Sequence, residues 1–77
     1  MSFPSLKAQQ FIAVVSREPL CYQVTKQKGS HRRFTSENGY PEFSFSFHDR
    51  ATLPPGVVRK YLVQIIGLTD KEAKALI

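Results

Sequence analysis

Apolar residues recur at Ala8, Phe11, Ile12 and Val15, the i, i+3, i+4, i+7 spacing of a helix with one buried stripe. This predicts a first helix from Pro4 to Ser16 or Arg17. Pro4 suits a first helical turn, and the residue before Pro19 is pushed out of the α region, which ends the segment. From Leu20 to Gln27 the period drops to two, with Leu20, Tyr22 and Val24 on one side and Cys21, Gln23 and Thr25 on the other, as in a strand. Lys28-Gly29-Ser30 supplies a turn, and His31 to Ser36 returns antiparallel as a second strand before the polar loop Glu37 to Pro41. Phe43 to His48 has the clearest alternation, with three phenylalanines on one face and Ser44, Ser46 and His48 on the other. Asp49 to Pro55 reads as a loop. Beyond Pro54-Pro55-Gly56, the positions Val58, Tyr61, Leu62, Ile65 and Ile66 mark a second amphipathic helix with Arg59, Lys60 and Gln64 outside. Gly67 occupies its C-terminal cap, and Thr69-Asp70-Lys71-Glu72 has the form of a capping box opening a final helix through Ile77.

The order α-β-β-β-α-α describes an α+β domain spanning 1–77, a three-stranded antiparallel sheet with helices packed on one face. Both main helices need a surface on which to bury their stripes, and the phenylalanine face of the sheet is the large apolar surface that the pattern offers. The opposite face is left to solvent, with Gln23, Thr25, His31, Arg33, Thr35, Ser44, Ser46 and His48 as its expected members. For Phe34 to join the other phenylalanines, directly paired residue numbers of the second and third strands must sum to an odd value. One such register sets Ser36 opposite Phe43 and His31 opposite His48.

At 77 residues the chain builds one modest core, and its six Phe and three Tyr suffice for that, which argues against wholesale disorder. The single cysteine, Cys21, excludes an intramolecular disulfide framework, fits a reducing compartment and is expected to pack as a small apolar residue. No apolar stretch approaches membrane-spanning length and no signal-peptide pattern opens the chain, so a cytoplasmic location and no membrane partner are expected. Eleven Lys and Arg against six Asp and Glu give a formal charge of +5, which favours polyanionic partners yet is also ordinary for solubility.

Clustering adds more than the sum. Between Thr25 and Thr35 stand Lys26, Lys28, Arg32 and Arg33 with no anion, beside a glycine turn and one imidazole. Cations there suit phosphate contact, Gly29 lets a backbone approach closely, Ser30 shapes the turn, and His31 is a side chain able to move a proton near neutral pH. The same run would equally solvate a hairpin. Alternation directs Arg32 away from His31 and leaves Arg33 as its face-mate. With three phenylalanines assigned to the core, Tyr40 near the loop tip is the aromatic left free for stacking on a base.

At Gly29-Ser30-His31 the chain resembles the HicA-type toxins, small mRNA interferases of bacterial toxin–antitoxin pairs. The resemblance extends to His48 at the end of the third strand, to Pro55-Gly56-Val57-Val58-Arg59-Lys60 at the entry to the second helix, and to Gly67-Leu68-Thr69. Departures are a longer loop between the second and third strands, Val57 where threonine is usual, and Ser46 where many members carry proline. The resemblance implies a fold like that of double-stranded-RNA-binding domains, His31 as the catalytic histidine, an mRNA substrate, and a HicB-type antitoxin that binds the toxin and blocks its site.

Metal-independent RNA cleavage needs a base for the ribose 2′-hydroxyl, an acid for the departing 5′-oxygen and cations for the phosphorane; His31 suits either proton-transfer role, with no cofactor. His48 is a second acid/base group or an incidental histidine at a strand end. Lys26, Lys28, Gly29, Ser30, Arg32 and Arg33 form the expected RNA-contacting set, extended by Arg59 and Lys60 on the second helix. A metal site built from His31, His48 and Cys21 would lack any paired-ligand motif. Two other classes fit the same sequence: a non-catalytic RNA-binding module and an inactive partner-binding subunit.

Overall fold

A computed structural model describes residues 3–77, which form a small α+β domain with a three-stranded antiparallel sheet and three helices. The chain runs β1 (Leu6–Lys7), α1 (Ala8–Ser16), β2 (Tyr22–Lys28), β3 (His31–Ser36), β4 (Phe43–Phe45), β5 (Thr52–Leu53), α2 (Pro55–Arg59) and α3 (Asp70–Leu76), with a π-helical stretch Lys60–Ile65 continuing α2. Strands β2, β3 and β4 lie side by side in sequence order, and β1 pairs with β5 in a separate two-stranded ribbon.

That ribbon corrects the expected start of the first helix. Leu6 and Lys7 pair with Leu53 and Thr52, so helical geometry begins at Ala8 rather than near Pro4. The helix has no Ser, Thr or Asp as an N-cap. Instead the Ala8 and Gln9 N–H groups donate to the carbonyls of Ala51 and Asp49, at 2.8 and 3.1 Å, and the Lys7 N–H donates to Gln10 Oε1 at 2.9 Å. These bonds satisfy donors that a helix N-terminus otherwise leaves open. They also draw the segment after β4 away from the sheet, and β4 accordingly ends at Phe45 rather than His48.

The helices bury their stripes on the phenylalanine face, as the pattern requires. Phe11 and Val15 of α1, Tyr22, Phe34, Phe43 and Phe45 of the sheet, and Val58, Leu62 and Ile66 of the second helical segment are all buried. Phe11 is central: its ring centroid lies 5.4 Å from both Phe45 and Tyr61 and 6.4 Å from Phe43. Phe47 is half-buried against this cluster, beyond the end of β4. Tyr40, expected to be free, is also half-buried against the core.

After Arg59 the second helix widens, with the Ile66 N–H donating to the Tyr61 carbonyl at 2.9 Å, a five-residue step. Gly67 then takes φ +95° and lets the Leu68 N–H reach the Leu62 carbonyl at 3.0 Å, the expected C-terminal cap. The capping box of α3 forms as expected. The Glu72 N–H donates to Thr69 Oγ1 at 3.1 Å and the Thr69 N–H to Glu72 Oε1 at 3.0 Å, which holds the Glu72 carboxyl below the usual carboxylate range.

Register carries the main correction. Strands β3 and β4 pair Arg32 with Phe45, Arg33 with Ser44 and Phe34 with Phe43, so the paired numbers do sum to an odd value. The ladder is nevertheless two residues out of step with the one that sets Ser36 opposite Phe43 and His31 opposite His48. Stacking favours the observed register: Phe34 and Phe43 lie face to face at 5.2 Å, under Phe11.

Candidate functional site

Strands β2 and β3 are joined by the two-residue turn Gly29-Ser30, which sets Lys28 directly opposite His31. Gly29 has φ +61°, a conformation that the first position of such a hairpin requires and a side chain would strain. Directly opposed residues project to the same face. His31 therefore shares the open side of the sheet with Lys28, and Arg33 shares it with Ser44 of β4.

Plain alternation along β2 would send Lys26 and Lys28 to the helix side with Tyr22 and Val24. The ladder avoids this with a bulge: Val24 opposes Phe34 and Lys26 opposes Arg33, so Thr25 is an extra residue on β2. The bulge re-phases the strand. Thr25 stays on the open face, its hydroxyl 3.2 Å from that of Thr35 and donating to the Arg33 carbonyl at 3.3 Å, and both lysines follow it there. Val24 remains on the phenylalanine side but is 43% exposed, because β2 is an edge strand.

The result is an open depression of about 550 Å³ lined by Lys26, Gln27, Lys28, His31, Arg32, Arg33 and Ser44. His31 is exposed, and no hydrogen bond or ion pair ties its ring to another described residue. Gln27 supports the turn by donating through Nε2 to the Gly29 carbonyl at 3.3 Å. Ser44 is held from behind, where the Tyr61 hydroxyl donates to its carbonyl at 3.4 Å. Sequence patterning set Ser44 on the polar face, but only the register shows it beside Arg33; Gln27 carried no signal.

The four cations of the hairpin divide into three kinds. Lys26 and Lys28 face the depression and pair with no carboxylate among the described residues. Arg33 also faces it, and its Nη1 pairs with Glu42 Oε1 at 2.5 Å. Arg32 also borders the depression, but it opposes Phe45 on the helix side, its side chain is only 14% exposed, and its Nη2 pairs with Asp49 Oδ1 at 2.5 Å. Its Nε is buried without a partner. Because the Asp49 carbonyl also receives the Gln9 N–H, Arg32 connects β3 to the N-terminus of α1.

Arg59 and Lys60 do not line the depression, and Arg59 Nη2 lies 3.5 Å from Oδ1 of Asp70 at the start of α3. His48 is exposed, three residues past β4, in the turn where its carbonyl accepts from the Ala51 N–H at 2.9 Å; Ser46 has likewise left the ladder. Cys21 is half-buried with φ +50° and carries a free thiol. Among the described residues no group of three or more His, Cys, Asp or Glu side chains could hold a metal ion, and no helix is long and apolar enough to cross a membrane.

The far end of the open face is polar rather than basic. Gln23 donates to Glu37 through its side-chain amide, and Glu42 occupies Arg33. The face is thus divided along its length, with positive charge concentrated around the imidazole at the hairpin end. No protein-family model, curated protein or solved structure matches this chain, so its fold and depression rest on their own geometry.

Proposed function

We propose that the chain is a HicA-type mRNA interferase, the toxin of a bacterial toxin–antitoxin pair, cleaving RNA without a metal cofactor by proton transfer at His31. One observation carries the reading: an exposed imidazole stands on the open sheet face with Lys28 directly across from it and Lys26 and Arg33 as the next pair. In this mechanism His31 removes the ribose 2′-hydroxyl proton, the 2′-oxygen attacks phosphorus, and the 5′-oxygen departs with a proton from solvent. The fragments carry a 2′,3′-cyclic phosphate and a 5′-hydroxyl. Lys26, Lys28 and Arg33 offset the charge that builds on the phosphorane.

A three-stranded antiparallel sheet with helices on one face supports likeness to double-stranded-RNA-binding domains. The proposed partner is a HicB-type antitoxin covering the basic depression, and the proposed location is the cytoplasm. The test is incubation of purified protein with RNA in EDTA, with and without His31→Ala. Cleavage that persists in chelator, leaves cyclic phosphate ends and disappears in a folded His31→Ala variant is the expected result. Cleavage undiminished in that variant, or hydrolytic 3′-hydroxyl ends, would overturn it.

A second reading, a non-catalytic RNA-binding module, is favoured by one feature. No described residue hydrogen-bonds to the His31 ring, whereas a general base is commonly oriented by a third group. Binding of intact RNA without cleavage would select this reading.

A further inference from the structure

Three cations stand on the open face around His31, and only Arg33 among them is already neutralised from within the chain. Its partner, Glu42, lies just before β4; continuing the alternation from Ser44 through Phe43 brings Glu42 back to the face of Ser44 and Arg33. A carboxylate and a phosphate both offer a guanidinium paired oxygens at similar separation, so Glu42 fills the seat a substrate phosphate would take.

We propose that Glu42 is an internal competitor for RNA phosphate at Arg33, and that this exchange sets the affinity threshold of the depression. The inference rests on the RNA-binding part of the function proposed above. It adds a residue on the loop side of the sheet that controls which polyanions are held.

Exposure makes the exchange feasible. The side chains of Arg33 and Glu42 are 46% and 53% exposed, so their pair is solvent-screened and readily given up. Arg32 offers a contrast within the same strand, since its side chain is 14% exposed, packed on the helix side and joined to the loop that caps α1. A ligand that engages Lys26 and Lys28 but brings no phosphate to Arg33 leaves the Glu42 pair intact. A ligand that brings one releases Glu42 to solvent, where the freed carboxylate attracts cations, and fewer ions are released overall on binding.

The experiment measures binding of a short 2′-O-methyl RNA, which cannot be cleaved through its 2′-oxygen, over a range of salt concentrations. Wild type, Glu42→Gln, Arg33→Gln and the double variant are compared. Glu42→Gln is expected to bind several-fold more tightly at low salt, with a steeper slope of log affinity against log salt. In the Arg33→Gln background the same substitution is expected to change neither quantity. Unchanged or weaker binding by Glu42→Gln would overturn the proposal, as would a gain of equal size in the Arg33→Gln background, which would mark general repulsion rather than competition for one guanidinium. Absence of binding by wild type and all variants would overturn the RNA reading itself, and this inference with it.

Discussion

Lys26 lies directly opposite Arg33, although its strand neighbour Val24 lies directly opposite Phe34, and the single residue between them changes which face of the sheet is basic. With a regular ladder the two lysines of β2 would project beside the helices. The bulge at Thr25 brings them to the side of His31, where an RNA backbone bound as proposed would meet them. Lys26→Ala and Lys28→Ala are therefore each expected to weaken RNA binding and to flatten the salt slope by about 0.7 per lost phosphate contact. Fluorescence anisotropy at several salt concentrations measures both. A slope equal to wild type in both variants would show that the lysines do not touch the backbone.

Arg32 follows the opposite logic. It sits in the same basic run, yet its guanidinium is tied to Asp49 and its largely buried side chain lies opposite Phe45 on the helix side. Arg32→Ala is expected to cost about 1–2 kcal/mol of stability, from lost packing and a lost charge-assisted hydrogen bond, while leaving the salt slope of RNA binding unchanged. Urea denaturation and the same anisotropy titration separate the two effects. A reduced slope at unchanged stability would return Arg32 to the phosphate-contacting set.

For His48, no ladder position brings the side chain across from His31, since β4 ends at Phe45 and the turn beyond it is committed to capping α1. If RNA cleavage is observed, His48→Ala is expected to retain it within a few-fold, compared with a loss of about 10²–10⁴ on removing a positioned proton-transfer group. Single-turnover cleavage of a labelled RNA distinguishes these outcomes.

The elements with strong periodic signals are legible directly: the buried stripe of α1 at Ala8, Phe11 and Val15, the phenylalanine face, the Gly29 turn and the Thr69 capping box. What alternation cannot show is a change of phase. Thr25 has no composition cue for a bulge, because its effect comes from which β3 residue it fails to oppose. Strands as short as Leu6–Lys7 and Thr52–Leu53 contain too few residues to display a period, and their pairing depends on a contact remote in sequence. The end of β4 was hidden for a related reason: Phe47 continues the alternation and packs on the core, while the backbone has already turned to supply carbonyls to α1. The site divides the same way. His31 and Arg33 followed from local pattern, whereas the carboxylates that engage the two arginines, Glu42 and Asp49, lie in loops whose approach only the folded chain defines.

The buried Tyr22 phenol connects the polar loop to the core and gives stability an alkaline limit. Its hydroxyl donates to the Pro41 carbonyl at 2.6 Å, and burial, reinforced by nearby Tyr40, pushes its pKa up to about 12 from an ordinary value near 10. A phenol that holds its proton more tightly in the folded than in the unfolded chain contributes its full stability below about pH 10. That contribution declines as pH rises through about 12, because the unfolded chain ionises first. Tyr22→Phe is expected to lower stability near neutral pH by about 0.5–1.5 kcal/mol through the lost hydrogen bond. It should also flatten the decline in stability between about pH 10 and about pH 12. Urea midpoints measured across that interval for both proteins test the linkage, and an alkaline decline just as steep in Tyr22→Phe would assign it to other groups.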